Sequence, residues 1–189
     1  MSPDGSERGR SMFYLVTGGS AGGKSEYAEA LAVRLAQEVG VGRLIYLAAM
    51  KPYGDEGQRR IARHRKLRAG KGFMTVESAL CDTEILKEQL GGDCVVLLED
   101  LMNLTANELY DRREAAQEAV FTRVMEYICH IRSAAAHLIA VTGDVFSDGI
   151  GYDEETGRYT ELLGNINRSA AAQADRVWEV VCGIPIAVK

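Results

Sequence analysis

The amino-acid sequence predicts an α/β fold, a three-layer sandwich in which helices cover both faces of a mostly parallel sheet. Two patterns carry that expectation. Apolar runs of strand length alternate with longer amphipathic stretches, which is the rhythm of βαβ units. The run Cys94-Val95-Val96-Leu97-Leu98 is apolar throughout, which suits a central parallel strand buried on both faces.

In chain order, strands are expected at 12–17, 44–49, 73–76, 94–98 and 137–142, with a closing strand pair at 177–181 and 184–188 punctuated by Gly183 and Pro185. Helices are expected at 24–39, through the charged stretch 55–70, and at 83–90, 101–109, 115–136 and 161–174. The segment 143–159 is rich in Gly and Asp and lacks helical periodicity, so it is expected to be a functional loop with room for a small hairpin.

A chain of 189 residues, 47% hydrophobic and 26% charged, supports one substantial core, so residues 12–189 are expected to form a single domain behind a disordered polar lead, 1–11. The net charge of -5 argues against a nucleic-acid partner. No run approaches the length of a membrane span, and the lead lacks an apolar signal region. Cys81, Cys94, Cys129 and Cys182 form no C-x-x-C pair, and three lie in apolar runs where a reduced thiol packs as a small hydrophobe; a cytoplasmic protein is expected.

Chemistry first shows in Gly18-Gly19-Ser20-Ala21-Gly22-Gly23-Lys24-Ser25, which fits G-x-x-x-x-G-K-[ST] between an expected strand and helix. Glycines let successive N–H groups turn inward around phosphates, and the following helix presents its positive end. Lys24 supplies a mobile charge for the β- and γ-phosphates of ATP or GTP, and the Ser25 hydroxyl suits Mg²⁺. A carboxylate at the end of a buried strand commonly orients that metal. Glu99 and Asp100 both stand there, and alternation along the strand points one toward the cradle and the other away. Asp100 equally suits an N-cap for the next helix.

One strand further on, residues 59–68 are dense in Arg and Lys around His64, and a helical projection sets Arg60 and Arg68 beside it at i−4 and i+4. Such cations favour neutral, nucleophilic imidazole and attract phosphate. A solvated basic face carrying a bystander histidine is the plain alternative. His130 and His137 have no third ligand at a recognisable metal spacing and read as packing or surface residues.

These residues resemble the bifunctional adenosylcobinamide kinase / adenosylcobinamide-phosphate guanylyltransferase family of cobalamin biosynthesis. The similarity runs from Leu15-Val16-Thr17-Gly18-Gly19 and Gly23-Lys24-Ser25 through Ile45-Tyr46-Leu47-Ala48, then Arg60-Ile61, His64, Arg68, Thr75 and Glu77. It continues through Leu97-Leu98-Glu99, Asn107, Gly164, Asn167 and Ala174-Asp175. The resemblance implies a RecA-like P-loop NTPase fold, His64 as the guanylylated nucleophile and a homo-oligomer, a trimer. It favours Glu99 over Asp100 for Mg²⁺, and implies nucleotide or metal contacts for Glu77 and Glu99. Arg65 and Arg68 are candidates for triphosphate charge, and the corrinoid adenosylcobinamide is the implied acceptor. Ala69 and Phe73 stand where a proline and a tryptophan are usual, and Gly143-Asp144 where an Asn-Glu pair is common. Two rivals are a small-molecule kinase without guanylyl transfer and a GTP-binding switch; the switch lacks a clear Asn-Lys-x-Asp guanine-reading motif here.

Overall fold

The computed structural model describes residues 11–52, 54–91, 93–112, 116–144 and 153–189. Its elements are β1 (Met12–Thr17), α1 (Lys24–Val39), β2 (Arg43–Ala48), α2 (Gly54–Arg68), β3 (Phe73–Glu77), α3 (Thr83–Gln89) and β4 (Cys94–Glu99). There follow α4 (Leu101–Tyr110), α5 (Gln117–Ala134), β5 (His137–Val141), α6 (Glu154–Gln173), β6 (Arg176–Val181) and β7 (Ile184–Ala187). The strands form one sheet in the order β3-β2-β4-β5-β1-β6-β7, parallel except for the antiparallel β6–β7 pair. The α/β class and the C-terminal strand pair agree with the sequence.

Helices bury their apolar stripes on both faces of the sheet. On one face α1 sets Ala28, Leu31, Ala32 and Leu35 against Tyr46, Val95, Leu97, Ile139 and Val141. On the other, Leu101 and Leu104 of α4, Val124, Ile128 and Ile131 of α5, and Leu162 and Ile166 of α6 close over Phe13, Leu15, Leu47, Val96 and Leu98. All six residues of β4 are buried, as expected for a central strand.

Two expectations need correction, that for the segment 143–159 and that for the cysteines. The segment 143–159 is not loop to its end: α6 begins at Glu154, because Asp153 accepts a hydrogen bond from the Thr156 backbone N–H (2.7 Å) and Glu154 and Glu155 follow in the first turn. Capping thus starts the helix ahead of its periodic stripe, and the expected hairpin, like the rest of residues 145–152, lies outside the described residues. Of the polar lead, residues 1–10 also lie outside them, and Ser11 donates to the Arg132 and Ala135 carbonyls at the end of α5 (3.0 and 3.1 Å). The cysteines are free, yet only Cys94 is fully buried; Cys129 faces out from α5 and Cys182 occupies the β6–β7 turn at φ 49°. Among the described residues no helix is long and apolar enough to cross a membrane.

The sheet also presses on the phosphate loop. Gly18 has φ +142°, and a Cβ there would lie 2.4 Å from the Val180 carbonyl oxygen of β6. The Gly183 N–H of the β6–β7 turn donates to the Gly22 carbonyl at 2.9 Å. Backbone cannot yield as a side-chain tip can. Gly18→Ala should therefore lower unfolding stability by about 1–3 kcal/mol, read as a fall in the urea midpoint, and weaken nucleotide binding with it. An unchanged midpoint would show that the loop does not depend on this contact.

Candidate active site

Strand β1 delivers Gly18 to the C-terminal end of the parallel strands, and the loop Gly18–Gly23 leads into α1, whose N-cap Gly23 has φ 93°. The Gly22 N–H donates to the Gly19 carbonyl (3.2 Å), and Lys24 Nζ folds back onto the same carbonyl at 2.6 Å. Ser20 and Ala21 are exposed at the tip, with Ala21 at φ 55°. A glycine-rich turn of this kind at a helix N-terminus can receive phosphate oxygens on its N–H groups and lysine.

Ser25, in the first turn of α1, donates its hydroxyl to Glu99 Oε1 in a short hydrogen bond that reaches past β5 to the end of β4. Glu99 is only 4% exposed; its Oε2 accepts from the Tyr46 hydroxyl at 3.2 Å. Asp100 turns to α4 instead, accepting from the Asn103 backbone N–H at 2.7 Å as an N-cap. A hydroxyl and a carboxylate meeting at the mouth of a phosphate loop are the donor set that Mg²⁺ takes beside substrate phosphates. Those two residues therefore fit the ion.

The Nδ1 atom of His64 lies 3.6 Å from Glu99 Oε1. The ring thus faces a carboxylate, where the sequence set only arginines beside it. Arg68 lines the same pocket but turns inward: it is 8% exposed, its guanidinium sits 3.4 Å from the Tyr46 ring centroid, and Nη2 donates to Thr75 Oγ1 at 3.4 Å. Arg65 and Glu77 pair at 3.5 Å in solvent, an interaction of small worth. His64, Arg65, Arg68, Glu77 and Glu99 line one pocket, floored by Tyr46, Ala48, Met50 and Ile61.

Three residues of this site were missed in the sequence. Glu29 is fully buried one turn after Ser25, and Lys71 reaches it from the turn before β3 (Nζ to Oε2, 2.7 Å). Tyr46 supplies both the hydroxyl on Glu99 and the ring under Arg68. The available signal was a glutamate between Ala28 and Ala32 in an otherwise apolar stripe, at i+4 from Ser25. Asn107, noted for the resemblance, bridges the Ala49 and Ala79 carbonyls (2.8 and 2.9 Å) and braces the loops that follow β2 and β3.

Burial raises the Glu99 carboxyl from its ordinary 4.5 to about 7, with Asp100 and Glu29 adding to the rise and the Ser25 and Tyr46 hydroxyls opposing it. The folded protein then holds a proton that an unfolded glutamate has released, so stability is lost as pH rises from 4.5 to 7. In chelator-treated, nucleotide-free protein the loss should approach about 3 kcal/mol by urea unfolding, and Glu99→Gln should flatten it. A slope of the same size in Glu99→Gln would assign it to another group.

The profile of the family described as "Cobinamide kinase / cobinamide phosphate guanyltransferase" matches residues 14–188. The chain is 29% identical over 188 residues to the "Bifunctional adenosylcobalamin biosynthesis protein CobU" of Escherichia coli (strain K12), covering 94% of this chain and 100% of that protein. It is 28% identical, with the same coverage, to the protein of that name from Salmonella typhimurium. A solved structure titled "ATPase Domain of G40P" aligns with TM-score 0.49 at 10% identity, covering 89% of this chain and 68% of its own. With its phosphate loop, strand-end carboxylate and histidine all inside the matched span, the chain belongs to the cobinamide kinase / cobinamide phosphate guanyltransferase family.

Proposed function

We propose that the protein phosphorylates the hydroxyl of adenosylcobinamide with ATP or GTP and transfers GMP from GTP, through His64, to the phosphate so formed. The observation that carries this reading is the meeting of phosphate loop, buried carboxylate and histidine: Ser25 and His64 both approach Glu99 Oε1, the serine by a hydrogen bond and His64 Nδ1 at 3.6 Å. A kinase needs the first two of these parts. The third has a use in covalent transfer.

In the kinase step the loop N–H groups and Lys24 hold the β- and γ-phosphates in line with the acceptor hydroxyl. Ser25 and Glu99 would hold Mg²⁺, which neutralises phosphate charge as the γ-phosphoryl passes over. In the transfer step a ring nitrogen of His64 attacks the α-phosphorus of GTP, the bond to the bridging oxygen breaks and pyrophosphate leaves. A phosphate oxygen of the phosphorylated corrinoid then attacks the same phosphorus, the P–N bond breaks, and the ring recovers its lone pair. Glu99 stands on the Nδ1 side; closing that gap to a hydrogen bond would keep the proton on Nδ1 and the lone pair on Nε2. Arg65, Arg68 and Glu77 line the same pocket and are the side chains proposed to meet the nucleotide.

GTP labelled at the α-phosphate should leave acid-labile, alkali-stable label on the wild type and none on His64→Ala, whereas γ-labelled GTP should leave none on either. Lys24→Ala should lower kinase turnover about 10²–10³-fold, the scale for removing one charge-stabilising donor. A wild type that binds GTP but takes up no α-label would leave a kinase alone. Failure to phosphorylate the corrinoid as well would return the GTP-binding switch.

A further inference from the structure

We propose that Glu29, His64 and Glu99 together form a site for a transition-metal dication of the Zn²⁺ or Co²⁺ class. One ligand atom from each of the three lies within 4.8 Å of the others. Glu29 is fully buried in the middle of α1; its Oε2 takes the Lys71 ammonium at 2.7 Å, while its Oε1 has no hydrogen-bond partner. A buried carboxylate oxygen left so is costly, and a cation between it and its neighbours would satisfy it.

The donor set selects the class. One imidazole nitrogen with two carboxylate oxygens suits first-row transition metals, whereas Mg²⁺ prefers oxygen donors and retained water. Donors on zinc at about 2.0–2.2 Å stand about 3.5 Å apart, so closure asks for roughly 1 Å of side-chain movement. Glu29 and Glu99 rise from a helix and a strand fixed in the core, and His64 comes from α2 across the pocket. The Tyr46 hydroxyl on Glu99 and the Lys71 ammonium on Glu29 orient the two carboxylates from behind, the supporting partners a metal site needs.

Binding of this kind has a chemical consequence. A metal on one nitrogen of neutral imidazole leaves the proton on the other, so neither nitrogen offers a lone pair to phosphorus. The site would thus silence His64 reversibly, and it draws on the Glu99 carboxylate that Ser25 otherwise engages. That consequence rests on the transfer reading above, whereas the binding does not.

The test uses chelator-treated full chain without nucleotide, titrated with Co²⁺ and followed by visible absorption. Wild type is expected to bind one equivalent, to keep it in excess Mg²⁺, and to lose at least about 100-fold in affinity in both Glu29→Gln and His64→Ala, since even supporting residues of metal sites are worth about 10–100-fold. The double variant Cys129→Ser, Cys182→Ser removes the exposed thiols and should bind as wild type does. Each variant is first checked for cooperative unfolding, and Glu29→Asp, which keeps the charge and withdraws the oxygens, stands in if Glu29→Gln does not fold. No binding by the wild type, unchanged affinity in Glu29→Gln or His64→Ala, displacement by Mg²⁺, or loss in the thiol variant would each overturn the site. Suppression of α-phosphate labelling by Zn²⁺ reads the consequence separately.

Discussion

The hydrogen bond between Ser25 and Glu99 ties the first turn of α1, the helix that follows β1, to the end of β4, a strand that β5 separates from β1, and it exists only because the sheet is in one register. Across the sheet, Glu77 pairs with Ala48, Ala48 with Glu99, Glu99 with Val141, and Val141 with Val16, forming a single row one residue before the end of β1. Members of such a row share a face, here the face covered by α1. A slip of one residue between any pair would turn Glu99 or Glu77 to the opposite face, among α4, α5 and α6. The apolar residues of β4 therefore position a carboxylate as much as they fill a core.

What that row brings together is expensive. Two carboxylates, Glu29 and Glu99, are buried beneath a charged helix, with Lys71 on the first and two hydroxyls on the second. Arg68 stacks on Tyr46 with its Nη1 buried and unpaired. Buried charge of this density is poor currency for stability, since its desolvation offsets most of what its pairing returns. The cavity beside it is where the proposed function brings nucleotide phosphate and His64 together, and proteins keep such groups where chemistry needs them poised.

Much of the fold was legible in the sequence because strand and helix periods differ, and the run 94–98, apolar throughout and of strand length, is of the kind a central parallel strand needs, which β4 is. The phosphate loop was legible for a different reason: its glycines answer backbone demands, as the +142° φ of Gly18 against Val180 illustrates, and such demands leave a spaced signature. The start of α6 was hidden because a cap, not a periodic stripe, begins it. Glu29, Lys71 and Tyr46 were hidden because their partners come from other elements: Lys71 lies 42 residues from Glu29. For Arg68, helical projection correctly put it near His64 but could not show that the ring of Tyr46 would draw it inward.

The three working groups differ in how firmly they are held. Ser25 starts a helix that buries six residues, and Glu99 ends a strand buried throughout. His64 rides on α2, where among the described side chains only Arg68 is buried, and that burial is at the helix's last residue. A helix polar over most of its surface draws little stability from packing and moves more readily than its neighbours. On the proposed mechanism, such freedom suits a histidine that first meets the α-phosphorus of GTP and then offers it to a bulkier acceptor. Phosphate loop and carboxylate have no such journey, and the interior strands that end at them give them none.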